Sequence, residues 1–413
     1  MWIRGPRKVR LISPQEAFVI HPRHLPPAGR LLTLGLALLL AACADPPPAD
    51  SDLEIRVDTV AGVPHVRNLG QPPEWELEPL FRLGVLEGGP EEFGRIRSVL
   101  ADGDGRVYVA ETTTNEVRVF SPEGRHERTF GRRGGGPGEF ASLYSLAWLG
   151  DDLAAMDPGN ARISLLSPEG EWRGTIRHSA ITGGANVVRL HPLGEEGFYA
   201  PVIDPARPRL PWARFTGEGP LDTIPVPGPP PDARQTGVVC HRPDGGITFI
   251  NLPDSPGIVY GFPPPGGRMA VSWTEEYRIA LIRGEGDTVR VVTRDKTSPP
   301  YPDELWEEGL RPWNELRENF PGATCDPGAP RRPSHRAALR HLMFDEAGRM
   351  WVEAAEGAGF VWEVFGPEGR LLGRIQAPPR AEGIPPYVRD GRLYQVETDE
   401  MDVPGVGVYR VRW

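Results

Sequence analysis

Lysine is all but missing from this chain of 413 residues: of its 46 basic side chains, all but Lys8 and Lys296 are arginine. The basic residues do not gather into runs, and the formal net charge is −10. Nucleic-acid affinity rests on clustered positive charge, so no nucleic-acid partner is expected. Cysteine stops at three, Cys43, Cys240 and Cys325. The only long apolar run, Leu31 to Leu40, is too short to span a bilayer as a helix. Gly-x-Ser-x-Gly, His-Glu-x-x-His and Gly-Lys-Ser/Thr are all absent. That removes the strained serine elbow, the zinc-protease helix and the phosphate-cradling loop.

What is present begins with an address. Residues 1–30 carry Arg4, Arg7, Lys8, Arg10, Arg23 and Arg30 against a single acid, Glu16. The apolar run then ends in Leu40-Ala41-Ala42-Cys43. A basic flank, a short apolar stretch and small residues before a cut make a secretory signal over 1–43. The flank is long, which leaves open a translation start downstream of Met1. The ending resembles a bacterial lipobox, and the resemblance implies that Cys43 is lipidated and becomes the new N-terminus. Ala44, where inner-membrane retention signals carry Asp, implies the outer membrane, facing periplasm or cell surface. Residues 44–52 are proline-rich and acidic, and read as an extended tether rising about 3.1 Å per residue. In an oxidising envelope Cys240 and Cys325 are candidates for one disulfide; two buried free thiols are the alternative.

Within 53–413 a phrase occurs twice. Gly88-Gly89-Pro90-Glu91-Glu92-Phe93 returns as Gly135-Gly136-Pro137-Gly138-Glu139-Phe140. Ser121-Pro122-Glu123-Gly124 returns as Ser167-Pro168-Glu169-Gly170 on nearly the same beat. A constant period means that one supersecondary unit has been copied. Between the phrases, short β-branched and aromatic runs alternate with Gly, Pro, Asp and Asn, which is hairpin grammar. Four antiparallel strands per unit, repeated radially, predict an all-β propeller.

Counting units gives clear copies after Gly94 and Phe140, a fainter one over 187–226 and a clear one over 339–375. Residues 236–295 hold six strand-like runs, read as one enlarged blade, with a blade and a half as the alternative. The segment Trp75 to Leu83 precedes the first phrase as a fourth strand lacking its first three. Tyr387-Val388, Leu393 to Val396 and Val408 to Val411 supply them, so one blade is shared between the chain ends. The count is six, with seven open. A helical insert over 300–322 carries Leu305, Trp306, Leu310, Trp313 and Leu316 on one stripe. Pro312 is expected to divide it into two short helices, and a face of the ring is the expected packing partner.

The phrase Gly136-Pro137-Gly138-Glu139-Phe140, with the Asp-Gly turns and strands behind it, resembles the NHL-repeat family and related six-bladed propeller lipoproteins. The likeness is good over about 90–180 and 337–376 and poor over 185–335. It implies either a binding scaffold or a metal-dependent lyase or lactonase-like enzyme, whose ligands come from inner strands.

Two sets of residues bear on that choice. His191, His241 and His341 sit on or beside predicted inner strands. Aligned on Gly105, Gly197, Gly245 and Gly348, they fall at different depths and on differing faces, so no metal and no cofactor is expected. Asp102-Gly103-Asp104-Gly105 lacks the spacing and the twelfth-position Glu of a calcium loop, and reads as a hairpin turn. In the same alignment Arg97, Arg189 and Arg340 each lie eight residues before their turn glycine. Three guanidinium groups at one end of a channel favour a carboxylate or phosphate ligand. Salt bridges to neighbouring blades are the competing role. The expected function is that of a monomeric, lipid-anchored binding or scaffold protein of the envelope, taking a protein, peptide or glycan through loops on one face of the propeller. The metal-dependent lyase or hydrolase is the alternative.

Overall fold

The computed structural model describes residues 52–86, 88–177, 189–193, 197–201, 212–216, 219–224, 237–264, 267–283, 287–381 and 383–413. Cys43, nearly all of the tether and Val187 lie outside these. Among the described residues no helix is long and apolar enough to cross a membrane.

Six four-stranded antiparallel blades follow one another, the last two joined into one eight-stranded sheet by the parallel pairing of Arg374 and Ile375 with Glu74 and Trp75. Blade 1 runs Ile96–Ala101, Val107–Glu111, Glu116–Phe120 and His126–Phe130; blade 2 runs Ser145–Leu149, Asp152–Asp157, Arg162–Leu166 and Trp172–Arg177. Blade 3 is His191–Pro192, Phe198–Pro201, Trp212–Thr216 and Gly219–Ile224. Blade 4 is Ile258–Gly261, Met269–Trp273, Arg278–Ile282 and Thr288–Arg294, and blade 5 is Leu339–Phe344, Met350–Glu356, Gly359–Phe365 and Leu371–Ile375. Blade 6 joins Tyr387–Arg389, Arg392–Thr398 and Pro404–Arg412 to Glu74–Leu83, which pairs antiparallel with Pro404–Arg412 from Glu76 to Leu83. The shared closing blade is therefore as expected.

What makes the sheets a ring is that both faces of each blade are buried. In Val107–Glu111, Val107 and Val109 pack toward Tyr394, Val396 and Val408 of blade 6. Tyr108 and Ala110 point the other way, toward Leu146, Leu153 and Leu166 of blade 2. Side chains alternate across a strand, so a strand buried on both faces reads as an unbroken apolar run. Equivalent seams join blades 2 and 3, 3 and 4, 4 and 5, and 5 and 6. Each large side chain buried in them contributes about 1.5–3 kcal/mol of hydrophobic stabilisation.

The repeated phrase lies between blades, as the sequence implied. Arg118 on the third strand of blade 1 donates to the carbonyls of Pro90 and Glu92. Arg162, two positions earlier on the third strand of blade 2, donates to those of Gly135, Gly136 and Glu139. Phe93 and Phe140 are buried beneath.

The region 236–295 departs from expectation. Val238–His241 and Ile247–Ile250 belong to no blade; with Thr324–Asp326 they form a separate three-stranded sheet. The count is six because these two strands pair with the segment that follows the helix. Cys240 lies directly opposite Cys325, and the two are joined by a disulfide. The insert is one helix, Asp303–Asn319, with Pro312 inside it. It packs Leu316 and Trp313 on Val238, Cys240 and Ile250, so the satellite sheet rather than a ring face is its partner. An N-terminal hairpin that pattern alone had not revealed, Glu54–Val60 and Val63–Leu69, extends blade 4 by parallel pairing of Val63–Leu69 with Thr288–Arg294.

Candidate functional site

The innermost strand of each blade is its first, and these strands surround a cavity of about 840 Å³. One end carries Arg189, Arg340 and Arg380, followed by His191 and His341. Farther along stand Trp148, Phe262 and Tyr387, with Asp151 and Glu346 exposed at the far mouth.

Local irregularity aims the arginines. In blade 5 the register runs Leu339 to Ala354 and then His341 to Glu353, leaving Arg340 as the extra residue of a β-bulge. In blade 1 Ile96 faces Glu111 and Ser98 faces Ala110, so Arg97 is the extra residue there. A bulge re-aims side chains at a strand end. Arg97 and Arg340 thus hold one repeated position, as the sequence alignment proposed.

Arg189 is displaced by one. Asp345 bonds to the carbonyl of Arg349, and Leu193 to that of Gly197, so Gly197 is the counterpart of Arg349 and not of Gly348. Counting back from these turns, Arg189 corresponds to Ser98 and His341, one residue inward of the bulge. The same shift corrects the histidines. His191 and His341 are two positions apart in register, hence on one face, and both line the cavity. His241 instead lies exposed on the satellite strand, because Gly245 closes the satellite hairpin and not a blade.

The partners of the arginines differ. Arg340 and Arg380 both bind Glu353, at 3.0 and 2.7 Å. Burial alone would raise the Glu353 carboxyl, but hydrogen bonds from Arg380 and Arg340 outweigh it and hold it below its ordinary value. Arg340 also lies 3.6 Å over the Phe360 ring and 3.8 Å from Asp254, a carboxylate already taken by Arg336 at 2.8 Å. Arg189 donates to the carbonyl of Gly383 at 2.7 Å and has no carboxylate partner among the described residues. Burial depresses its pKa, and the charges of Arg380 and Arg97 push the same way, partly offset by Tyr144. Arg97 is outside the cavity wall, with its guanidinium 5.1 Å from the Tyr144 ring centre.

Both histidines are held neutral. Burial pushes His191 down to about 3, with Arg189 and His341 adding to the effect. Burial and Arg380 do the same for His341, also to about 3. His191 stacks on Phe262 at 3.9 Å, and Trp212 meets both rings. His341 Nε2 has no hydrogen-bond partner among the described residues. Among the described residues no group of three or more His, Cys, Asp or Glu is placed to hold a metal ion. The Asp102 turn is committed internally: its carboxylate accepts from the backbone of Asp104 and Arg106 and from the Arg106 and Tyr108 side chains.

Sequence reasoning missed Arg380 and Glu353. Glu353 had a signal, a lone acid inside the apolar strand Met350–Glu356. Arg380 had none, since it comes from the connection between blades 5 and 6.

Residues 91–159 match a family model described as "6-bladed beta-propeller". This segment covers blade 1 and the first hairpin of blade 2, and it agrees with the observed sheets. The chain is a six-bladed β-propeller. No curated protein matches the sequence. Among solved structures, a putative exported protein from Bacteroides fragilis is similar at 11% identity and TM-score 0.45, covering 82% of this propeller and 96% of that chain. A member of the duf4221 family from Bacteroides vulgatus is similar at 10% identity and TM-score 0.42, over 87% and 98% of the two chains. Virginiamycin B lyase from Staphylococcus aureus is similar at 11% identity and TM-score 0.34, over 82% and 89%. Likeness at this level carries no argument about what the propeller binds or does.

Proposed function

We propose that this propeller is a lipid-anchored binding protein of the bacterial cell envelope, and that its ligand site is the central channel rather than an outer face. The signal ending at Cys43 supports the anchor. One observation carries the ligand site: a cavity of about 840 Å³ on the propeller axis, within the ~300–1,000 Å³ usual for small-ligand sites, with aromatic walls and converging polar groups. A binding role needs no acid, base or metal in that cavity. A protein, peptide or glycan would engage it by inserting one end or one residue.

The metal-dependent enzyme is the second reading. It is favoured by His191 and His341 sharing one wall, and it needs at least one further ligand. Metal analysis of the tag-free protein separates the two: a stoichiometric zinc or calcium would overturn the binding role in favour of the enzyme. Mass spectrometry of the membrane-associated protein tests the anchor, which predicts a diacylglyceryl Cys43 and loss of membrane association in Cys43→Ser.

A further inference from the structure

Resting on the channel as ligand site, we infer that its ligand is a small carboxylate with a flat apolar body, the carboxylate meeting Arg189 and the body lying along the His191–Phe262 wall. The anionic end follows from charge. Three guanidinium groups, Arg189, Arg340 and Arg380, line one end of the channel, with Arg97 outside its wall, against Glu353 and a share of Asp254. Removing a guanidinium from water without a counter-charge is costly, and such groups are normally paired. Arg340 and Arg380 are paired through Glu353. Arg189 lines the cavity, and the only hydrogen bond it makes among the described residues, to the Gly383 carbonyl, leaves most of its five N–H donors unused.

Arg189 is therefore the one guanidinium lining the cavity without a carboxylate partner among the described residues. A single unpaired guanidinium matches one negative charge and meets a planar carboxylate through two parallel hydrogen bonds. Neutral histidines next to the arginines add no further cation, so they do not raise the anionic charge the site can hold. The acids at the far mouth do not cancel the arginine end. Asp151 and Glu346 are exposed, and Glu346 faces Arg389 at 3.5 Å. The body of the ligand follows from the wall: Phe262 is stacked on His191 at 3.9 Å, with Trp212 edge-on to His191 at 5.6 Å, a flat aromatic surface next to the arginine tier.

The test uses 3-(4-benzoylphenyl)propanoate and its uncharged amide as photo-crosslinking probes on the full-length chain in detergent, with labelled residues located by mass spectrometry. The expected result is labelling of channel residues by the acid, with the amide weaker by on the order of tenfold or more, the loss of one charge-assisted pair. Arg189→Gln should abolish the acid's advantage and leave amide labelling unchanged. Because Arg189 has no carboxylate partner among the described residues, this substitution strands no described acid, and an unchanged Tm would show that the fold is kept. Arg189→Lys should restore part of the preference. Equal labelling of the channel by acid and amide would overturn the carboxylate inference while the channel reading stands. Labelling confined to residues outside the channel would overturn both. Stronger competition by benzylphosphonate than by the acid would replace the carboxylate by a dianion and overturn the carboxylate inference.

Discussion

Arg97 and Arg340 are the same residue of the repeat in two different blades, each the extra member of a β-bulge where an innermost strand begins. Their surroundings nevertheless differ. Arg340 binds the buried Glu353, whereas Arg97 has only the Tyr144 ring among the described residues. A repeat copies the backbone device, and each copy is then free to acquire its own partner.

That difference predicts unequal costs. Arg340→Gln removes one of two guanidiniums from a buried carboxylate and should destabilise by about 1–3 kcal/mol. Arg97→Gln takes away no hydrogen-bond or ion-pair partner and should stay within about 0.5 kcal/mol of the parent. Urea unfolding of both variants checks this, and equal midpoints would show that the Glu353 pairing contributes nothing.

A second buried pair ties blade 4 to blade 5. Arg294 and Glu363 meet at 3.2 Å with side chains 2% and 1% exposed. Arg294 also donates to the carbonyls of Asn68 and Gly70, fastening the N-terminal hairpin. Arg294→Met should cost about 3–5 kcal/mol, because it leaves a buried carboxylate with Lys296, at 3.8 Å, as its remaining cation. Adding Glu363→Leu should recover much of that loss, measured as urea midpoints. A double variant as unstable as the single one would mean that the hairpin carbonyls, and not the carboxylate, dominate.

Most of the ring was legible in the sequence because blade strands announce themselves locally. Val107–Glu111 and Met350–Glu356 are apolar runs that each follow a turn closed by glycine, Gly105 and Gly348, and the Gly-Pro phrase marks the first two handovers. The satellite sheet was not legible. Val238–His241 pairs with Thr324–Asp326 across some eighty residues, and no local pattern encodes such a partner. Pro312 misled for a different reason: packing of Leu316 and Trp313 on the satellite sheet offsets the one lost backbone bond. The site was half legible. Arg97 and Arg340 could be aligned because their turns match, whereas the blade 3 turn places its glycine one residue later. That single offset hid the shared face of His191 and His341.

Reduction should loosen the satellite and leave the ring. Cys240 and Cys325 close a loop whose ends are 85 residues apart in sequence. The chain-entropy model gives about 4–5 kcal/mol for such a loop in an otherwise unconstrained chain. Blades 4 and 5 already hold much of that segment, so the effect should be local. Hydrogen exchange in Cys240→Ala/Cys325→Ala should show lost protection over Val238–Ile250 and Thr324–Asp326, with blades 1 and 2 unchanged. A thiol count of zero on the unreduced, unfolded mature protein is the companion observation, once Cys43 is acylated and thioether-linked. Global loss of protection would make the satellite part of the folding core.

The two neutral histidines fix a pH window. Their folded values lie near 3, against about 6.5 for an unfolded imidazole, so the unfolded chain binds the extra protons. The stability they contribute is complete above about pH 6.5 and is lost progressively as pH falls toward 3. Between the two values each histidine gives a slope of at most about 1.4 kcal/mol per pH unit. Carboxylates such as Glu353, held below the ordinary value, lose their contribution at lower pH, so the interval from pH 7 to 5 isolates the imidazoles. Urea midpoints should fall across that interval, and His191→Phe or His341→Leu should each remove about half of the slope. A midpoint that does not move between pH 7 and 5 would mean that the imidazoles protonate freely in the folded channel. The channel would then gain two cations beside Arg189 below about pH 6.5, and the ligand's anionic group would no longer depend on that guanidinium alone.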